Sequence, residues 1–257
     1  MIKFSSYLFF CLTLSICTVF AQSSDRQKVN QSAQWLGITA NTKISKRLTL
    51  VLEGQFRQVG NFDPQQYQLR GALDIKINDH FSIAPLGYVY TWNYRYGKQP
   101  AAFANNEHRI WQQICYKHTI GALYVDHRLR LEERFIESHT TGIDGRTTNE
   151  GYVNKQTRFR YKLAARLPLN GSKIGPKSYF LSVYDEIFVS RGERVTYYDP
   201  DQNRVFAGMG YQFVKNLTIQ TGLFCQTLIK KNGAEAENNI GLQVNVTYNI
   251  DCTKRNH

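Results

Sequence analysis

Charged side chains recur at every second position in several segments of this 257-residue sequence. Between Asp126 and Arg134 every alternate position is charged, and the positions from Arg158 to Arg166 repeat the pattern with mostly basic residues. Guanidinium and ammonium groups that share one surface can bind or select anions. The same groups can instead pair with carboxylates, and Arg–carboxylate pairs fix one another in geometry. The chemistry open to this chain is therefore anion recognition, directed at a solute or at its own acids.

The alternation places eleven basic and five acidic residues on polar faces. An anion-leaning pathway is predicted to use Arg57, Arg70, Arg128, Arg130, Arg134, Arg158, Arg160, Arg166 and Arg204, with Lys76 and Lys162 beside them. Their acid partners are predicted to be Glu53, Asp126, Glu132 and Glu186, with Asp74 nearby. The surplus of positive charge favours a passive anion-leaning channel. A narrow interior could equally be closed by a network of these pairs, with a structural or surface-binding role, and both alternatives stay open.

A histidine and two acids fall on apolar faces, where charged groups are unusual. His127 and Glu133 share one such face, and Asp185 lies on another. A hydrolase needs a nucleophile, a base and an orienting group, and no serine stands at matching spacing. A β-bulge that turns these residues inward would explain them as well. We expect no catalysis, with a membrane lipid hydrolase as the lesser alternative, and the six histidines predict no metal or cofactor site.

Strands are the elements that must carry these residues. Residues 48–57, 67–77, 123–135, 158–167 and 239–248 alternate between apolar and polar side chains. Period-two alternation is typical of strands with one apolar face. The aromatic content of 13% excludes a disordered chain, and no apolar run after the first twenty residues is long enough for a spanning helix. The sequence predicts an all-β protein.

Strand length and loop spacing favour a membrane barrel over a soluble β-sandwich. Many alternating segments run about 12 to 15 residues, which suits a tilted membrane strand better than a globular sheet. Short turns alternate with long polar loops, the latter predicted at 60–65, 95–106, 137–151, 191–200 and 230–237. These features predict an antiparallel up-and-down transmembrane β-barrel over residues 35–250. About twelve strands are expected, with ten as the fallback, because single-chain bacterial barrels normally have even counts.

The first 21 residues have the layout of a cleaved signal peptide. Lys3 precedes an apolar run, and small residues lead to a cut after Ala21. Residues 22–34 are too polar for a convincing lipid-facing strand, so they are predicted to form a weak first strand or a plug in the lumen. Residues 251–257 form a polar tail, and its Cys252 is a candidate free thiol.

The formal net charge is +12. The basic residues are spread at strand spacing without a nucleic-acid reader motif, so no nucleic-acid partner is expected. The expected partners are outer-membrane lipids and small anionic solutes. Lipopolysaccharide phosphates are a further candidate, bound through loop residues, namely Lys98, Arg146, Arg191 and Arg194. We expect a monomer in the bacterial outer membrane.

Several segments in a fixed order resemble an uncharacterised family of outer-membrane barrels from Bacteroidota, domain of unknown function 2490. The matching segments are EHRIWQQ at 107–113, HRLRLEERF at 127–135, RFRY at 158–161, YDEIF at 184–188 and QNRVFAGMGY at 202–211. His108 departs from the family pattern, in which asparagine is expected, and the last strand lacks a terminal aromatic residue after Tyr248. The resemblance implies a barrel fold and an outer-membrane location, and it implies no activity.

Overall fold

The computed structural model describes residues 26–192, 195, 200–230 and 233–253. The predicted signal peptide lies outside these residues. The described chain contains eleven strands: β1 (Gln27–Lys43), β2 (Leu48–Val59), β3 (Asp63–Lys76), β4 (Phe81–Asn93), β5 (Asn105–Ile120), β6 (Leu123–Thr141), β7 (Thr147–Pro168), β8 (Ser178–Arg191), β9 (Gln202–Val214), β10 (Leu217–Ile229) and β11 (Glu235–Asp251). Within these ranges, no helix is long and apolar enough to cross a membrane.

The eleven strands close into a barrel, which confirms the predicted fold class. Each strand pairs antiparallel with the next in sequence, and β1 closes the barrel by pairing in parallel with β11. This seam is in continuous register from Gln27 opposite Glu235 to Lys43 opposite Asp251. A parallel seam follows from the count, because the first and last of eleven alternating strands point in the same direction.

The described strand count is eleven, between the predicted twelve and the fallback of ten. The parity argument assumed antiparallel closure, whereas the parallel seam between β1 and β11 closes an odd number of strands. The polar segment before residue 35 supplies the first eight residues of β1, which begins at Gln27. Hydrogen bonding to β11 along the whole strand compensates for its weak apolar pattern.

The two ends of the barrel differ in their connections. At the turn end, the connections are residues 44–47, 77–80, 121–122, 169–177 and 215–216. At the opposite end, called the loop end, the connections 94–104 and 192–201 are the longest. Two predicted long loops are largely strand instead: β3 begins at Asp63, and the β6–β7 hairpin extends to Thr141 and Thr147. Polar residues that alternate along the chain can still pair across a hairpin. A prediction from polarity alone therefore overestimated the length of both loops.

Apolar side chains face outward around the barrel, while the interior combines charged and amide side chains with buried aromatic rings. Large side chains exposed by 39–66% include Leu36, Leu69, Leu129, Phe159, Leu223 and Ile240. Aromatic residues lie on the outside near each end, with Phe81 and Tyr179 at the turn end and Phe62 at the loop end. By contrast, Glu132 and Glu186 are 1% exposed. This distribution reverses that of a soluble protein, in which charged residues are rarely buried.

Glycines make room for aromatic rings inside the barrel. A Cβ atom at Gly210 would overlap the ring of Phe180, and one at Gly87 would overlap Trp111. Both rings are almost fully buried. The glycine pair in QNRVFAGMGY therefore serves close packing, as expected for glycine within a strand.

Candidate functional site

A cavity of about 190 Å³ lies inside the barrel. It is near the loop end, because its lining includes Gln65 and Gln66 at the start of β3, Asn93 at the end of β4 and Ile229 at the end of β10. Among the described residues, seven arginines line it, together with one carboxylate residue, Asp201. The arginines are Arg57, Arg70, Arg109, Arg134, Arg158, Arg160 and Arg204.

Six strands deliver these arginines to one place. Strands β2, β3, β5, β6, β7 and β9 each contribute at least one, at positions that alternate with outward apolar residues. Side chains on one face of a strand recur every second residue, so both Arg158 and Arg160 point inward from β7. Arg128, Arg130 and Arg166 were predicted with this group, but they are not among the lining residues.

Two buried glutamates hold the central arginines. Glu132 accepts hydrogen bonds from Arg158 and from Arg160, the latter at 2.5 Å. Glu186 pairs with Arg128 at 2.5 Å, Arg160 at 2.6 Å and Arg204 at 3.4 Å. Arg160 therefore bridges both acids. Such charge-assisted bonds fix the guanidinium planes in orientation.

A third buried acid, Glu107, was missed by the sequence analysis. It pairs with Arg109 at 2.5 Å and with Arg134 at 2.6 Å. Glu107 and Arg109 alternate with His108 and Ile110 at the start of β5, so the period-two signal was present. The signal was obscured because Trp111 continues the inward face.

The remaining predicted residues form smaller local pairs in the interior. Arg70 binds Glu53 at 2.7 Å, and Arg166 binds Asp126 at 2.9 Å in a more exposed position. Arg130 forms a longer ion pair with Glu132 at 3.7 Å and also lies over the ring of Trp111 at 3.9 Å, where a cation is stabilised by the π face.

Two arginines of the cavity have little carboxylate compensation. Arg57 donates to the amide oxygens of Gln66 at 2.8 Å and Gln55 at 2.7 Å. Among the described ion pairs, Arg204 has only the 3.4 Å contact with Glu186. The guanidiniums of Arg57 and Arg204 lie 4.5 and 4.7 Å from the ring centroid of Trp35. Aromatic contact offsets part of the cost of burying a cation, but it leaves the charge uncompensated.

The interior of the barrel carries an excess of positive charge. Among the described residues, nine arginines face five glutamates, so the difference is +4 before Lys162, Lys230 and Asp201 are counted. The arginines are Arg57, Arg70, Arg109, Arg128, Arg130, Arg134, Arg158, Arg160 and Arg204, and the acids are Glu53, Glu107, Glu132, Glu186 and Glu237. Low-dielectric walls focus such a field, which attracts anions to the cavity.

The polar residues predicted on apolar faces each contact a side chain on an adjacent strand. His127 contacts the hydroxyl of Tyr161 at 2.8 Å, Glu133 accepts from Thr157, and Asp185 accepts from Asn203 at 2.6 Å. The pairing of β6 with β5 is continuous through His127 and Glu133, so the suggested bulge does not occur there. Each group is satisfied by a neighbour on an adjacent strand, which explains its place on the outer face.

Comparison with known proteins gives a family and several distant barrels. A family model described as protein of unknown function, DUF2490, matches residues 33–238. No curated protein sequence matches the chain. Among solved structures, the chain is similar to the NanC porin, with 11% identity, coverage of 82% of this chain and 90% of that chain, and a TM-score of 0.46.

Two further structures are more distant. The β domain of the Bordetella autotransporter BrkA has 9% identity, coverage of 77% and 81%, and a TM-score of 0.39. The siderophore receptor PirA from Pseudomonas aeruginosa has 12% identity, coverage of 72% of this chain and 32% of that chain, and a TM-score of 0.29. Because the family model spans most of the described barrel, this chain belongs to the DUF2490 family of proteins of unknown function.

Proposed function

We propose that the chain is an exported barrel of the bacterial outer membrane. The support is its closed set of strands, the outward apolar side chains and the signal peptide predicted over residues 1–21. A closed barrel satisfies every backbone hydrogen bond between strands, as the hydrocarbon core of a membrane requires. The Bacteroidota origin implied by the family resemblance belongs to the same proposal.

Within that membrane, the barrel receives small anions in its lumen. The convergence of seven arginines on one cavity, with a single carboxylate residue in the described lining, carries this proposal. Rings of arginine favour anions in pores because their positive charge attracts and stabilises the ion. The cavity lies at the loop end, which faces outside the cell in outer-membrane barrels. The lumen is therefore an anion-leaning pathway that begins at the cell surface.

The second candidate is a closed, network-filled barrel, in which the lumen is blocked by its own side chains and conducts nothing. Glu132 and Glu186 are 1% exposed, and Phe188, whose ring lies against the guanidinium of Arg160, is equally buried. The network of these acids with Arg158 and Arg160 fills the lumen at its centre. A barrel of this kind would bind anions at its mouth without conducting them, and it would serve a structural or surface-binding role.

Lipid contacts complete the proposal. The loop end carries exposed basic residues, among them Arg146, which suit the phosphates of lipopolysaccharide. Lys98 and Arg191 belong to the same end, whereas Arg194 lies outside the described residues. We further propose a monomer without catalytic activity or a nucleic-acid partner.

Single-channel recording in a planar bilayer tests the anion pathway. With a salt gradient across the bilayer, an open lumen gives steady conductance and a reversal potential that favours anions. The double variant Arg57→Gln with Arg204→Gln should lower anion preference, because it removes the two least compensated charges. Arg47→Gln is the matched control, because Arg47 is exposed in the connection 44–47 at the turn end and does not line the cavity.

The outcomes separate the two candidates. A folded barrel that conducts nothing would exclude the pathway and favour the closed barrel. Conductance that prefers cations would contradict a role for the arginine cavity. So would an anion preference that is the same in the double variant and in the control. Refolding of the mature chain in plain buffer without detergent would contradict the membrane location itself.

A further inference from the structure

Several residues that line the cavity carry buried hydrogen-bonding atoms without a partner, and these atoms include both donors and acceptors. Arg57, Arg70 and Arg204 each have a buried Nε donor without a hydrogen-bond partner among the described residues. Gln65 and Asp201 each have a buried acceptor oxygen in the same condition. A buried polar atom without a partner costs free energy. Five such atoms on residues around one cavity therefore indicate a ligand that supplies both acceptors and donors.

The side chains that carry these atoms are held in place. Gln65 is 5% exposed and Arg204 is 6% exposed. Arg70 is fixed by its 2.7 Å ion pair with Glu53, and Arg204 packs against the ring of Trp35. Groups held in this way can bind a ligand without losing much further side-chain freedom.

The donors specify an anionic group on the ligand. Three arginine Nε groups and the surplus positive charge of the interior favour a carboxylate or a phosphate, which can accept two parallel hydrogen bonds from one guanidinium. A neutral solute would leave the excess charge of Arg57 and Arg204 uncompensated.

The acceptors specify hydroxyl groups on the same ligand. Asp201 would repel a simple anion, and its orphaned oxygen can be satisfied only by a donor. The oxygen of Gln65 has the same requirement. Further amide side chains line the cavity and can exchange hydrogen bonds with hydroxyl groups, namely Gln66, Gln68, Asn93, Gln202 and Gln226.

The size of the cavity limits the ligand to one small molecule. At about 30 Å³ for each water in the liquid, a cavity of about 190 Å³ corresponds to roughly six water molecules. The β4–β5 loop limits it further, since Tyr96 lines the cavity and donates to Glu237 of β11 at 3.1 Å. An oligomer would have to displace this loop.

We propose that the cavity is a binding site for a small polyhydroxylated anion, such as a monomeric sugar acid or sugar phosphate. This inference rests on the proposed anion-receiving lumen and adds the substrate class. The ligand's acidic group binds among Arg57, Arg70 and Arg204, and its hydroxyl groups donate to Gln65 and Asp201.

Calorimetric titration of the detergent-refolded barrel tests the substrate class. The probes are glucuronate, cyclohexanecarboxylate, which keeps the acid without hydroxyl groups, and glucose, which keeps the hydroxyl groups without charge. We expect glucuronate to bind at least about tenfold more tightly than either control, because each control leaves one set of buried groups unpaired. Glucose 6-phosphate then distinguishes a phosphate from a carboxylate preference.

Variants assign the two roles within the site. Arg204→Gln should weaken glucuronate binding by about tenfold or more, while Arg166→Gln should leave it unchanged. Gln65→Leu should remove most of the preference for glucuronate over cyclohexanecarboxylate. The affinity for cyclohexanecarboxylate itself should stay the same. If Gln65→Leu does not fold, Asp201→Ala tests the same split, since it removes the other orphaned acceptor.

Equal binding of glucuronate and cyclohexanecarboxylate would overturn the substrate class, as would the failure of all four probes to bind. Conductance measured on the same preparation distinguishes a failure of the binding proposal from a failure of the proposed anion pathway. Anion-selective conductance without a hydroxyl preference defeats only the present inference. Hydroxyl-dependent binding without conductance defeats the pathway and leaves the binding site in a closed barrel.

Discussion

Replacement of Glu186 by glutamine is the sharpest test of the buried network. Glu186 is 1% exposed and pairs with three arginines, Arg128, Arg160 and Arg204, at 2.5, 2.6 and 3.4 Å. Glutamine keeps the size of the side chain but removes its charge. The buried guanidiniums of Arg160 and Arg204 and the partly exposed one of Arg128 would then share one fewer acid, and their mutual repulsion would no longer be balanced at this point.

The expected loss in the free energy of unfolding is about 3–5 kcal/mol, the range found when one partner of a buried ion pair is removed. The control is Asp126→Asn, which breaks the pair with Arg166. There the side chains are 27% and 37% exposed, so solvent screens the charges. A loss below about 1 kcal/mol is expected for this control.

The measurement is equilibrium urea unfolding of the refolded barrel in lipid vesicles, followed by the fluorescence of its three tryptophans. Conductance of the Glu186→Gln variant gives a second measure, because the lumen gains one unit of positive charge and anion preference should rise. Equal losses of stability in the two variants, or a loss below about 1 kcal/mol for Glu186→Gln, would refute the argument that the network is desolvated.

Three further predictions concern packing, the loop and orientation. Gly210→Ala should destabilise the barrel by about 1–3 kcal/mol in the same unfolding assay, because its methyl group overlaps the ring of Phe180. Tyr96→Phe removes the bond from the β4–β5 loop to β11, and faster tryptic cleavage of that loop in the folded barrel is expected. Cys252 is exposed just after β11, at the turn end, so a membrane-impermeant maleimide should label it only after the outer membrane is opened. Ile143→Cys, in the β6–β7 connection, should be labelled in intact cells, and the reverse pattern would invert the proposed orientation.

Local patterns in the sequence determined the fold class and the orientation of most side chains. Alternation is a property of each strand by itself, so Arg158 and Arg160 could be assigned to the polar face without knowledge of their neighbours. The excess of basic residues on that face could also be predicted, because counting them requires only the composition and the period-two alternation. The same reasoning placed Glu132 and Glu186 among the arginines.

The tertiary structure alone decided how the barrel closes and which groups meet across it. The polar start of β1 is a strand because it pairs with β11 from Gln27 onward, and β2 joins it only from Ala33; no local propensity expresses this pairing. Trp35 lies beneath Arg204 although β10 and β11 separate their strands in the sheet. Contacts of that kind depend on the diameter and stagger of the closed barrel, which are set by all the strands together. For that reason, the sequence indicated an interior rich in arginine, whereas only the closed structure showed the cavity and its orphaned groups.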